Sequence, residues 1–223
     1  MGARVAWVTG VASTSRLFVL VLVAASLSWP AAAQQQTPAE PEPPIWSVSL
    51  SAAWYFLPEE NDYVQPTLKV ERSWLHLETR YAYEDRHSLS IFAGANFEFG
   101  EDITLAITPM AGVLVGDVTG VIPAIELDFT AWRFEAYGEA EYVFDLDDSS
   151  STFFYMWSEL SLWPVKWARA GLVTQRTRVY RADRDIQRGP MLGVRFSRVE
   201  GTLYLFNPGA DDHLTVVSIS VSF

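Results

Sequence analysis

From Trp46 onward, apolar and polar residues alternate one by one in runs of roughly ten, the length and period of a membrane strand whose two faces meet different surroundings. The last run is the most regular: Val217, Ile219, Val221 and Phe223 alternate with Ser218, Ser220 and Ser222, and the sequence stops on the aromatic residue. Reading back from there predicts twelve strands: 46–57, 63–71, 74–84, 88–99, 103–115, 118–129, 132–144, 152–162, 166–178, 189–196, 199–207 and 214–223. Ten is the alternative count, if two short elements are misread.

The connections differ in kind. Arg72-Ser73, Gly100-Glu101-Asp102, Thr130-Ala131, Trp163-Pro164-Val165 and Ser197-Arg198 are short, while 58–62, 85–87, 145–151, 179–188 and 208–213 are mostly longer and more polar. Gly116-Asp117 is short and breaks the trend. Short turns at one end and long loops at the other describe an up-and-down barrel with both termini on the short-turn side. Placing the turns at those dipeptides pairs like with like. Leu127 then faces Phe134, Glu126 faces Glu135, Asp128 faces Arg133, Lys69 faces His76, Glu159 faces Arg169, and Arg195 faces Glu200. A slip of one residue would scramble every pair. Pro109 and Pro123 lie inside strands of a sheet with no free edge, so each is expected to distort its ladder.

A closing strand that ends in Phe resembles the last strand of bacterial outer-membrane β-barrel proteins. The resemblance is to the class and rests on the C-terminus. It implies a transmembrane antiparallel barrel in the outer membrane, with Phe223 read by the barrel-assembly machinery and lipid and lipopolysaccharide as surroundings. The N-terminus agrees independently. Arg4 and Arg16 precede the apolar run Leu17 to Ala25, and Ala31-Ala32-Ala33 follows, as in a secretory signal; the run is short for a membrane helix. The expected division is a signal at 1–33, a Pro-rich unstructured periplasmic leader at 34–45, and the barrel at 46–223. Trp46, Trp54, Trp74, Phe99, Trp132, Tyr142, Trp163 and Trp167 lie near strand ends, where interfacial girdles form.

Charge and composition narrow the function. Beyond residue 33, 27 acids against 14 Lys and Arg leave a net charge of −13, which disfavours a nucleic-acid partner. There is no Cys, so disulfides and thiolate metal sites are excluded, and neither a cofactor nor a metal is expected. In a membrane barrel the polar face is the lumen. It carries Glu78, Glu98, Glu126, Glu135, Glu139 and Glu141 as candidate pore-lining acids, and Asp128, Arg133, Glu159, Arg169, Arg195 and Glu200 as ion pairs. Lys69, Glu71, His76 and Arg80 complete it, with Tyr137, Trp157 and Tyr204 as inward-facing rings. Buried like charges need water, bound cations, protons or a base reaching across. A hydrated, cation-preferring channel for small solutes or ions is therefore the leading expectation, and a closed, salt-bridged structural barrel the alternative. Arg176, Arg178, Arg181, Arg184 and Arg188 form a basic extracellular loop suited to lipopolysaccharide phosphates or anionic solutes.

Catalysis is the least expected reading. Outer-membrane lipid hydrolases place a Ser two residues after a His, on the same strand face. In His87-Ser88-Leu89-Ser90 both serines fall on the face opposite His87. Asp211-Asp212-His213 sits in a Gly-Pro loop of the kind seen at protease rims, and Glu126 with Glu135 is the remaining acid–base candidate. No catalytic residue is assigned.

Overall fold

The computed structural model describes residues 46–58, 61–179 and 185–223. The predicted signal and leader lie outside them. Thirteen strands follow one another: β1 (Ser47–Phe56), β2 (Tyr63–Arg72), β3 (Leu75–Tyr81), β4 (Leu89–Ala95), β5 (Phe97–Phe99), β6 (Ile103–Val115), β7 (Gly120–Ala131), β8 (Phe134–Asp145), β9 (Phe153–Val165), β10 (Ala168–Val179), β11 (Asp185–Phe196), β12 (Val199–Phe206) and β13 (Leu214–Ser222). Apart from β4 and β5, which do not pair with each other, each pairs antiparallel with its sequence neighbours. β1 pairs with β13, and β4 and β5 both pair with β6, so the sheet closes on itself.

β4 and β5 hold one continuous register against β6 and form a single span, which makes twelve spans in all. The break between them falls opposite Pro109, which has no N–H to give to the ladder. Asn96, at the break, donates its backbone N–H to Trp74 O at 2.8 Å instead. Pro123 leaves a similar gap between β7 and β8, from the pair Val121/Phe144 to the pair Ala124/Glu141. Each proline therefore interrupts one ladder of a sheet that has no edge to spare.

Three of the short turns lie a few residues from their expected places, enough to change who faces whom. The β2–β3 turn is Ser73-Trp74 and the β7–β8 turn is Trp132-Arg133, with Ser73 at φ 49° and Trp132 at φ 58°. Glu126 therefore faces Glu139, not Glu135, and Asp128 faces Tyr137, not Arg133. Lys69 faces Glu78, not His76. Glu159 faces Val173, because β9 runs on to Val165 and the ladder shifts between Ala168 and Ala170. The Ser197-Arg198 turn is where the sequence places it, with Arg195 opposite Glu200 and Leu192 opposite Leu203. These errors are slips of two or four residues, so Lys69, Glu126, Asp128 and Glu159 kept their face.

The faces are inverted relative to a water-soluble protein. Leu50, Leu68, Leu77, Ile91, Ile125, Leu127, Leu160, Leu172, Leu192 and Ile219 are exposed on the outside, while His76, Glu78, Arg80, Glu126, Glu139 and Glu141 are buried within. Trp46, Trp74, Trp132, Trp167, Phe99 and Phe223 are exposed toward the short-turn end. Trp163 is not among them. It shares the inward face of Trp157, Glu159 and Ser161, and Arg195 lies 4.2 Å above its ring. The basic segment also differs from expectation. Arg176, Arg178 and Arg188 are strand residues of β10 and β11, while Arg181 and Arg184 lie outside the described residues. Arg176 is on the outer face, stacked 5.6 Å from Phe154.

Candidate functional site

The lumen is the candidate site, and two polar networks divide it. The first is centred on Arg80 of β3. Its Nε donates to Glu78 Oε1 at 2.8 Å and its Nη2 to Glu78 Oε2 at 3.2 Å, both two residues along the same strand face. Its Nη1 crosses the lumen to Glu139 and, at 3.3 Å, to Glu141 of β8. The guanidinium lies over the rings of Tyr83, at 4.4 Å, and Phe92, at 4.7 Å, which adds cation–π attraction. A planar, permanently charged fork can serve three carboxylates and two rings at once; a lysine ammonium could not.

Lys69 of β2 extends the network, donating to Glu126 Oε1 of β7 at 2.6 Å with Glu78 Oε2 3.7 Å away. His76 sits between Glu71 and Glu78, its Nδ1 and Nε2 at 3.1 and 3.2 Å from their oxygens. The Tyr137 hydroxyl lies 3.0 Å from Glu126 and 2.8 Å from Glu139, so it can donate to either. This is how Glu126 and Glu139 tolerate facing each other: bases and hydroxyls from other strands reach them. His76, Glu78 and Glu126 bring their ligand atoms close enough for a metal ion, although Lys69 already occupies the space between the two carboxylates.

The second network joins β9, β10, β11 and β12. Arg169 contacts Glu159 at 3.3 Å, Thr202 at 3.1 Å and Glu200 at 2.8 Å. Arg195 binds Glu200 at 2.7 Å. Trp157 Nε1 and Tyr204 OH donate to Glu159 at 2.9 and 2.8 Å. Gly193 makes room for this cluster, since a Cβ there would come within 2.7 Å of Arg169 Cγ and Nε. The Glu159–Arg169 and Arg195–Glu200 ion pairs are thus present, the former diagonally across the strands. Arg133 is instead a turn residue whose Nη1 donates to Pro164 O at 2.8 Å.

The other predicted residues spread along the wall. Glu135 and Asp128 line the short-turn end of the lumen, and Glu98, two strands from Asp128 with Ala106 between, is exposed at that mouth. Glu71 is half-buried and accepts a hydrogen bond from Asn96 at 3.1 Å. Two residues that matter were not singled out from the sequence. Tyr83 and Glu84 belong to the loop after β3, which turns inward at Ala82 (φ 55°). Tyr83 OH donates to Glu139 at 3.2 Å. Glu84 is fully buried, and burial raises its carboxyl above the ordinary range, opposed by nearby Arg80. The signal was available, because Glu84 continues the even-numbered alternation of His76, Glu78 and Arg80. By contrast, Asp148, in an exposed loop, is held below its ordinary range by donors from Ser150.

Apolar packing fills much of the remaining interior. Phe92, Met110, Leu114, Ile122 and Val143 pack behind Arg80, and Tyr155, Trp157, Val173, Met191, Phe206 and Val216 pack toward the loop end. The space left open at mid-lumen lies against the small side chains of β1, β2 and β13. A cavity of about 190 Å³ lies between Ser51, Ala53, Thr67 and Ser218 on one side and Arg80, Tyr137, Glu139 and Glu159 on the other. Toward the loop end it shares Tyr55 with a second cavity of about 140 Å³. Toward the short-turn end it shares Tyr137 and Glu159 with a third, of about 360 Å³, lined by Asp128, Glu135, Arg169 and Arg195.

The catalytic candidates do not come together. His87 Nδ1 meets Asp117 at 3.2 Å, Ser88 donates to Asp85 at 3.1 Å, and His213 Nδ1 meets Ala210 O at 3.1 Å.

An apolar outside, a charged inside and full closure define a transmembrane β-barrel of the outer-membrane type, since in lipid a sheet must satisfy every backbone group internally. Solved KdgM porin structures show the same fold. A KdgM porin superposes with a TM-score of 0.56 at 10% identity, covering 78% of this chain and 99% of that one. A KdgM porin in complex with disordered oligogalacturonate gives 0.56 at 11% identity over the same shares. The outer membrane protein opdK from Pseudomonas aeruginosa gives 0.44 at 11% identity, covering 82% of this chain and 67% of that one. No family model matches the chain, and no curated protein matches it.

Proposed function

We propose that this chain is a narrow, cation-preferring channel for small solutes in the bacterial outer membrane. The observation that carries the proposal is the series of three cavities: the middle one lies against the small-residue wall and shares Tyr55 with one neighbour and Tyr137 and Glu159 with the other. Acids outnumber bases along that series, and a low-dielectric wall amplifies their field, so cations are favoured over anions in it. The porin fold of the structural neighbours supports passage of small solutes. One of them was solved with oligogalacturonate, a polymer of sugar acids. The acid-rich lumen here is ill suited to such a polyanion.

The membrane setting follows the same reading. The short-turn end and both termini face the periplasm, with residues 1–33 as the signal. Phe223 is exposed on the lipid side, its N–H bonded to Val48 O at 2.9 Å, where the assembly machinery would read it. Outward-facing Arg176 at the opposite end is placed to meet lipopolysaccharide phosphates.

A second reading has its own observation. The Arg80 bridge to Glu139 and the packed rings Trp157, Tyr204 and Phe206 span much of the lumen, as a closed structural barrel requires. Swelling of liposomes containing the refolded protein separates the two. A channel lets in a small cationic amine faster than a carboxylate of the same size, with a neutral polyol between. A closed barrel admits none of them beyond protein-free controls.

A further inference from the structure

Four bases stand at the short-turn rim. Arg72, Arg133, Lys166 and Arg198 sit at or beside the β2–β3, β7–β8, β9–β10 and β11–β12 turns, and all four are exposed. Three of these turns follow one another around the barrel, and the fourth comes next across the seam where β13 meets β1. The remaining short turn, before β6, carries Glu101 and Asp102 instead. The bases thus form an arc with one acidic gap, in a chain whose formal net charge is −11. Exposed rings accompany them. Arg72 lies 5.2 Å over Trp46, and Arg133 lies 5.2 Å over Trp132. Trp167 follows Lys166, and Phe196 precedes Arg198 in its turn. Ser222 N donates to Arg198 O at 3.0 Å, which brings the exposed Phe223 to the same turn. Among the described residues, no carboxylate lies within ion-pair distance of any of the four bases.

We propose that this arc is a binding collar for anionic phospholipid of the phosphatidylglycerol type, in the leaflet at the short-turn end. Interfacial Trp rings sit at the level of the lipid headgroups, so a cation beside such a ring meets the phosphate of the lipid whose chains the ring touches. A soluble polyanion would satisfy the bases and leave the rings bare to water. A zwitterionic headgroup offers the same phosphate, but with an ammonium that the neighbouring bases repel. Arg presents a planar fork to phosphate oxygens. Arg133 is held ready for one: its Nη1 donates to Pro164 O, beside the next turn, at 2.8 Å, and its other nitrogens have no partner among the described residues. The inference rests on the membrane placement proposed above and not on conduction, since a barrel that passes no current can hold the same lipids.

Tryptophan quenching by brominated lipid tests the collar, because Trp46, Trp74, Trp132 and Trp167 all lie exposed at this end. The protein is refolded into phosphatidylcholine vesicles that contain a graded share of dibrominated phosphatidylglycerol or of dibrominated phosphatidylcholine, and insertion is checked by heat-modifiable gel mobility. Brominated phosphatidylglycerol should reach the same quenching at a share about fivefold lower, and the difference should shrink in high salt. It should vanish when Arg72→Gln, Arg133→Gln, Lys166→Gln and Arg198→Gln are combined. It should persist when Arg72→Lys, Arg133→Lys and Arg198→Lys are combined, since those keep the charge. Equal quenching of the parent by the two lipids, or a preference that survives the four Gln substitutions, would overturn the collar alone. So would a parent that binds soluble polyphosphate while showing no preference between the lipids. Failure to insert into either kind of vesicle would overturn the membrane placement as well.

Discussion

Arg80 is the residue on which the interior depends. Removing it leaves Glu78, Glu139 and Glu141 buried without their base, and breaking a buried network from one side costs about 3 kcal/mol or more. Arg80→Ala should lower the free energy of urea unfolding in lipid vesicles by at least that much, and Arg80→Lys should recover only part of the loss, because an ammonium cannot serve the same fork. An unchanged unfolding midpoint in Arg80→Ala would mean the network carries no stability. Ser197 offers the opposite test. It holds φ 57° at the first position of its turn, a conformation that costs a side-chain-bearing residue about 1 kcal/mol. Ser197→Gly should stabilise the barrel by a comparable amount in the same assay, and a destabilised variant would show that the hydroxyl, not the backbone, matters there. At this scale the sequence was informative about which residues face inward and silent on which of them meet. Face follows from a period of two, but Arg80 meets Glu139 across the lumen, and no local pattern records that.

At the scale of the element, the strands and their faces were legible because lipid and lumen impose opposite demands on successive residues. Turn positions were less so. Ser73-Trp74 and Trp132-Arg133 lack the Asn-Gly or Asp-Gly signature of tight hairpins, and a serine at φ 49° and a tryptophan at φ 58° are not foreseeable from composition. The two-residue displacement of the β7–β8 turn shifted the register by four, moving Glu126 from Glu135 to Glu139. Pro109 and Pro123 were legible, since a missing N–H in an edgeless sheet must leave a gap somewhere. The corrected register is open to direct test because the chain contains no cysteine. Thr130→Cys with Glu135→Cys, directly paired across β7 and β8, should form a disulfide on mild oxidation. Glu126→Cys with Glu135→Cys should not, and the reverse outcome would restore the register drawn from the sequence.

At the scale of the whole molecule, the barrel shows how an acidic chain can hold a charged interior. Bases reach across from β2 and β3 to β7 and β8, a second cluster ties β9 to β12, and apolar packing fills the space behind both. The middle cavity lies against the seam where β1 meets β13, whose paired residues Ser49, Ser51, Ser218 and Ser220 are small. That seam contains the alternating segment that is most regular in the sequence, yet its role as the open wall became visible only when the larger side chains were placed opposite. Asp128 and Glu135 line the cavity at the short-turn end. Neutralising them should leave stability nearly intact while removing selectivity.

Single-channel current from the refolded protein in a planar bilayer, recorded under a KCl gradient, tests the central claim most directly. The account predicts discrete steps whose reversal potential favours K⁺, shifting toward zero in Asp128→Asn combined with Glu135→Gln. A folded, inserted barrel that passes no current, or one whose reversal potential favours Cl⁻, would contradict it.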